Sequence, residues 1–217
     1  MGDTEQMGDT EPMDDTEPIT AASREPGALI TDRRFTGALP VEAEMRGLEF
    51  EGCMLHACRW QGQQMEATTF GECHFVGCNI SAVLLNETSF RECSFTGTKA
   101  LGMDWTRARV SELAAAPMAW QDCALDFSTL SGLSMAGWTF RGCSLREIHL
   151  VGSDVRRASF SECDISGATI SECDLREARF TDCVGVAFDA RDNRVAGLTV
   201  SASMAPDLLS PLGIVVR

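Results

Sequence analysis

The sequence predicts an all-β solenoid wound as a square coil, and three regularities in its numbering predict it. Bulky apolar side chains fall on multiples of five: Phe50, Leu55, Trp60, Met65, Phe70, Phe75, Ile80, Leu85, Phe90 and Phe95, then Phe140, Leu145, Leu150, Val155, Phe160, Ile165, Ile170, Leu175 and Phe180. All ten cysteines, from Cys53 to Cys183, stand two places before that register. Gly52, Gly62, Gly77, Gly97, Gly132, Gly137, Gly142, Gly152 and Gly167 stand two places after it. A helical period of 3.6 or a strand period of 2 would scatter these positions over both sides of an element. If each five-residue unit is one wall of a square, about twenty residues close a turn and the bulky and small residues both point inward. Glycine then takes the corner, and successive turns stack at about the 4.8 Å strand spacing.

The elements follow in chain order. Residues 1 to 18 read MGDTEQ, MGDTEP, MDDTEP, without aromatic groups. Too little apolar surface is present to offset chain entropy, so 1–26 is expected to be a disordered acidic tail, an inert extension in preference to a docking segment. Residues 27–44 form a transitional N-terminal cap, with Phe35 marking an early, irregular repeat, and the coil proper spans 45–183.

It falters in LGMDWTRARVSELAAAPMAW, where Val110 and Ala115 hold inward positions and Pro117 follows. Aromatic–cysteine pairs at Phe70/Cys73 and Phe90/Cys93 resume at Trp120/Cys123, Phe140/Cys143, Phe160/Cys163 and Phe180/Cys183, leaving thirty residues between Phe90 and Trp120. Either the aromatic column changes face or about ten residues bulge out. We favour a loop near 103–116, with Arg107, Arg109 and Glu112 as its polar contacts, because excursions on rigid scaffolds often carry binding residues. Trp138 is too large for the small slot and predicts a distorted wall or an exposed ring; Phe127, at a corner position, should face outward. The segment 184–217 must cover an open end that exposes core and strand edges. A helix near 206–212 and a short strand at 214–216 would do so against a second copy, through Leu208, Leu209, Leu212, Ile214 and Val215. The alternative is a cap folded onto its own chain.

Net charge is -14, half of it in residues 1–26. That balance excludes direct nucleic-acid binding by counterion release and points instead to the basic, DNA-binding surface of another protein. Corner positions carry an acidic series: Glu72 and Glu92 one turn apart, and Asp122, Glu162 and Asp182. Arg141, Arg146, Arg156, Arg157, Arg176 and Arg179 interleave with it, and a mixed, solvated face is the competing description. No C-x-x-C pair occurs, so the cysteines fit a packing slot and neither a metal nor a cofactor is expected. No run of about 18 apolar residues is present and the N-terminus is acidic, so neither a membrane span nor export is expected, and a cytoplasmic location argues against standing disulfides. His56, His74 and His149 are scattered and no catalytic motif occurs, so the chain is not expected to be an enzyme.

The units CDISG, ATISE, CDLRE and ARFTD resemble the pentapeptide-repeat family, with its loose A(D/N)LXX motif, over about residues 45 to 183. That resemblance implies a right-handed quadrilateral β-helix. KALGMDWTRA at the break and DLLSPLGIVVR at the end are similar to segments of the topoisomerase-protecting branch: Qnr-type quinolone-resistance proteins and the immunity proteins against albicidin, cystobactamid and microcin B17. The likeness implies an end-to-end homodimer through the C-termini and a rod that partly imitates duplex DNA. It further implies protection of DNA gyrase or topoisomerase IV from a poison, with contacts from the loop. The alternative is a non-catalytic scaffold, a partner-binding solenoid unrelated to topoisomerases.

Overall fold

The computed structural model describes residues 16–18, 25–38, 45–110 and 116–215. Three-residue strands, separated by corners, stack in parallel on the strands one turn away, and about eight turns make a β-solenoid with one short C-terminal helix. Four faces result. The first is a ten-stranded sheet running from Thr16–Pro18 through Arg34–Ala38 to Thr199–Val200, with Phe35, Leu55, Phe75, Phe95, Trp120, Phe140, Phe160 and Phe180 at its inward centres. The second is laddered by single bridges from Arg59–Asn79 to Asp164–Val184. The third begins at Met45–Arg46, and the fourth begins at Leu29–Thr31 and carries Phe50, Phe70 and Phe90 inward.

Because strands stack at a fixed spacing, identical side chains at identical register must stack too. Ring centroids lie 4.6 Å apart for Phe75–Phe95, 4.8 Å for Phe140–Phe160 and 4.6 Å for Phe160–Phe180, all nearly parallel. The small slot has a second requirement beyond size. Cys78 Sγ donates to the Leu55 carbonyl at 3.0 Å, Thr68 Oγ1 to Met45 O at 3.1 Å and Ser153 Oγ to Leu130 O at 2.9 Å, each acceptor 23 residues earlier. Cysteine, threonine and serine share the slot because each is compact and ends in a donor, and a buried carbonyl lone pair is thereby satisfied.

The break is smaller than a loop over 103–116. Met103 and Trp105 are buried, and Arg109–Val110 still pairs with Ser89–Phe90 on the fourth face. The extra residues fall after Val110: Phe95 pairs with Trp120, a separation of 25, whereas Trp120 pairs with Phe140 at 20. Thus five residues are inserted, not ten, and the other five of the offset arise because Phe90 lies on the fourth face and Trp120 on the first. Residues 111–115, including Ala115, lie outside the described residues. The turn beside the insertion carries two indoles, Trp105 and Trp120, packed edge to face at 5.3 Å. Room for them comes from Ala100, which holds a bulky-register position with no exposure.

Trp138 does not distort the wall into solvent: its side chain is 3% exposed, and the next residue in its column is Ala158, which leaves it space. Phe127 does face outward, 57% exposed.

The coil also continues past Cys183, since Asp174 bridges Arg194 and Arg179–Phe180 pairs with Thr199–Val200. Gly185 replaces the bulky residue there because a Cβ would sit 2.5 Å from the Ser166 Cα, a distance no side chain tolerates. Helical turns follow at Ala202–Met204, Ala205–Leu209 and Ser210–Leu212, ended by Gly213 at a positive φ. Met204 is buried and Leu208 packs on the core, so the cap folds partly onto its own chain. Ile214 and Val215 form no strand, and Val216 lies outside the described residues. The tail is not wholly an inert extension either: Thr16–Pro18 forms the outermost strand of the first face. Residues 1–15 and 19–24 lie outside the described residues. No described helix is long and apolar enough to cross a membrane.

Candidate partner-binding surface

Most corners bend the backbone into the left-handed region, which glycine enters without steric cost. Among the described residues fifteen non-glycine residues also adopt it, every one two places after the five-residue register, and ten of them are Asp or Glu. The acids predicted at corners are therefore held outward by the turn itself. They divide between two edges of one face. Glu72 and Glu92 stand where the fourth face turns into the first, and Asp122, Glu162 and Asp182 where the first turns into the second. Between these edges, from Ser94 to Ser161, the first face presents Ser94, Thr96, Gln121, Thr139, Ser159 and Ser161 around a single charge, Arg141, and forms a shallow groove of about 360 Å³.

Several acids have internal partners. Arg91 reaches Glu51 at 2.6 Å, Glu72 at 3.5 Å and Glu92 at 3.7 Å, and Arg141 approaches Glu162 at 3.8 Å. The Arg91–Glu51 contact spans two turns, and it passes over Gly71: a Cβ at that position would lie 2.0 Å from the Glu51 carboxylate. Asp182 accepts a bond from the Ser201 hydroxyl, and Asp122 one from Gln121 at 3.2 Å.

The residues predicted on a loop lie apart from this face. Arg107 stands at the corner where the third face turns into the fourth, 3.4 Å from Asp104 and 3.2 Å from the Asn86 side chain, and Arg109 pairs with Glu87 at 3.4 Å. Glu112 lies outside the described residues. Of the predicted dimer contacts, Leu212, Ile214 and Val215 are exposed at 38%, 48% and 80%, while Leu208 and Leu209 are half-buried.

Sequence reasoning missed Asp126, a carboxylate with only 5% exposure on the second face. It accepts bonds from Ser144 Oγ at 2.5 Å, the Arg146 amide at 2.9 Å and the Arg146 guanidinium at 3.1 Å. Burial pushes its pKa up, but these hydrogen bonds outweigh burial and hold it below the usual carboxylate range. The fourth face carries an ion-pair ladder, Arg156–Asp154 at 2.7 Å and Arg176–Asp174 at 2.6 Å, in which each arginine lowers its aspartate's pKa. The register signals neither, because both depend on outward residues: Asp126 on partners from the next turn, the ladder on pairs two places apart.

The cysteines are free and buried. Burial pushes the Cys93 thiol up to about 12, so it stays protonated and able to donate at neutral pH. Among the described residues no cluster of three or more His, Cys, Asp or Glu converges as a metal ion would require.

The profile of the pentapeptide repeat region matches residues 68–150, and that of pentapeptide repeats in eight copies matches 143–182. No curated protein matches the chain. Among solved structures, HetL, a pentapeptide repeat protein involved in heterocyst differentiation regulation in the cyanobacterium Nostoc sp. strain PCC 7120, is 17% identical. The alignment covers 83% of this chain and 88% of HetL, with a TM-score of 0.58. Full-length QnrB1, a plasmid-mediated fluoroquinolone resistance protein, is 19% identical over 86% of this chain and 99% of its own, with a TM-score of 0.33. At these identities the likeness to HetL concerns the fold alone, and that to QnrB1 is too slight to bear an argument. With two profiles of one repeat type jointly spanning more than half of a chain whose backbone closes a square every four units, the chain belongs to the pentapeptide-repeat family.

Proposed function

We propose that this protein is a non-catalytic, rod-like binder of a type II DNA topoisomerase, gyrase or topoisomerase IV, and protects it in the cytoplasm from an antibacterial poison. Resistance or producer self-immunity follows. The observation that carries the reading is the placement of the corner acids. Glu72 and Glu92 on one edge, and Asp122, Glu162 and Asp182 on the other, flank a face whose stretch from Ser94 to Ser161 carries one charge, Arg141. A basic surface built to hold two phosphate strands would meet two negative edges. Net charge of -14 favours the same kind of partner. The likeness of KALGMDWTRA and DLLSPLGIVVR to the topoisomerase-protecting branch supports the choice of enzyme. Exposed Leu212, Ile214 and Val215 support a homodimer joined at its C-terminal ends.

A second reading, a scaffold unrelated to topoisomerases, is favoured by the internal pairing of Glu72, Glu92 and Glu162 with Arg91 and Arg141, which weakens the field those acids project. Gyrase supercoiling with a fluoroquinolone, an albicidin or a cystobactamid, with and without the protein, separates the two. Restored supercoiling with at least one poison supports protection. No restoration with any of them, and no binding to either topoisomerase, leaves the scaffold.

A further inference from the structure

Among the described residues, the leading edge of the solenoid's first turn is covered by the chain's own tail. Thr16, Glu17 and Pro18 pair in parallel with Arg34, Phe35 and Thr36. Phe35, the first ring of the core, has no exposure, and the Arg33 guanidinium lies 5.3 Å above that ring. Glu17 meets the same guanidinium through both carboxylate oxygens, with Arg33 Nε donating to Oε1 at 2.9 Å. The slot therefore makes three demands. It needs a β-capable residue against Arg34, a carboxylate over Phe35, and a third residue that ends the sheet, which Pro18 does by lacking an N–H.

The tail meets the first two demands three times. Thr16-Glu17-Pro18 closes the third hexapeptide, Thr10-Glu11-Pro12 closes the second with the same three residues, and Thr4-Glu5-Gln6 closes the first. We propose that the edge formed by Arg33 and Arg34–Ala38 is a binding site for a Thr-Glu-Pro strand, and that the hexapeptide repeats of this chain's own tail are its interchangeable occupants. Moving the docked unit from the third repeat to the second lengthens the connecting segment by six residues. Closure entropy grows only with the logarithm of length, so the shift weakens docking by less than about twofold. The repeat thus guarantees that the open end is covered even when one unit is lost or engaged elsewhere.

Hydrogen exchange across residues 33–38 of the full-length chain tests this, with Arg33→Ala setting the undocked level. Glu17→Ala should retain protection within about twofold of the parent, because the second repeat takes the slot. The triple variant Glu5→Ala, Glu11→Ala, Glu17→Ala should fall to the Arg33→Ala level. Loss of protection in Glu17→Ala alone would show that the slot reads only residues 16–18 and would overturn interchangeability. Parent-like protection in the triple variant would overturn recognition of the glutamate. Protection that rises with protein concentration would place the tail of a second copy in the slot and overturn docking within one chain.

Discussion

Cys163 shows how one slot sets two conditions at once. Its thiol donates to the Phe140 carbonyl at 3.5 Å while the side chain is buried in the core. Cys163→Ser, which keeps a donor of the kind Ser153 already supplies, should cost less than about 1 kcal/mol in urea unfolding. Cys163→Ala removes one of two side-chain donors to that carbonyl, Ser161 Oγ being the other at 3.5 Å, and leaves a small void, and should cost about 1–3 kcal/mol. The five-residue register made this column legible as small and buried, but the donor requirement was invisible, because the carbonyl it serves lies 23 residues back. Asp126 was illegible for a related reason: its partners, Ser144 and Arg146, come from the next turn. Its folded pKa is depressed, so its contribution is fully present above the ordinary carboxylate value. The contribution is lost as pH falls through the depressed one. Acid unfolding followed by circular dichroism should therefore show a steeper loss of stability below about pH 4 in the parent than in Asp126→Asn. Asp126→Asn should itself be about 1.5–3 kcal/mol less stable at pH 7.

At the scale of elements, the wall is the unit and five residues is its quantum. The sequence showed a break after Ala100 and two ways to explain it. The structure combines a change of face with an insertion of one wall's length after Val110. What hid this was Trp105: a tryptophan, an alanine at 100 and a proline at 117 suggest irregular text, although the indole is a core ring seated opposite a deliberately small neighbour. Deleting residues 111–115 restores a separation of 20 between Phe95 and Trp120, so that variant should keep its β-sheet circular dichroism and its melting temperature within a few degrees. Deleting only 111–113 leaves the register two residues out and turns inward side chains outward, so it should melt far lower or fail to fold. Equal stability of the two deletions would show that the register does not govern stacking. Removing all of 103–116 would take Trp105 from the core and is expected to be destabilising on that ground alone.

For the whole molecule, a solenoid spreads stability along its length, each turn resting on its neighbours, so the ends decide its associations. One end carries its own strand at Thr16–Pro18. The other exposes Leu212, Ile214 and Val215 on a cap that is only partly folded back. Light scattering should find a dimer at micromolar concentration, and Ile214→Glu with Val215→Glu should yield a folded monomer; a parent that is monomeric would remove end-to-end pairing. The coil, its four walls and its inward residues were legible in the numbering alone, since one geometric repeat imposes them. The division of the acids between two edges of one face was not, because the inserted wall between Glu92 and Asp122 shifts every later corner by one. The most direct measurement of the central claim is gyrase supercoiling in the presence of a poison. It compares the parent chain with a variant in which Glu72, Glu92 and Glu162 become glutamine and Asp122 and Asp182 become asparagine. The account predicts that the parent restores supercoiling and the folded variant loses at least about tenfold in potency; equal rescue by both, or rescue by neither, would contradict it.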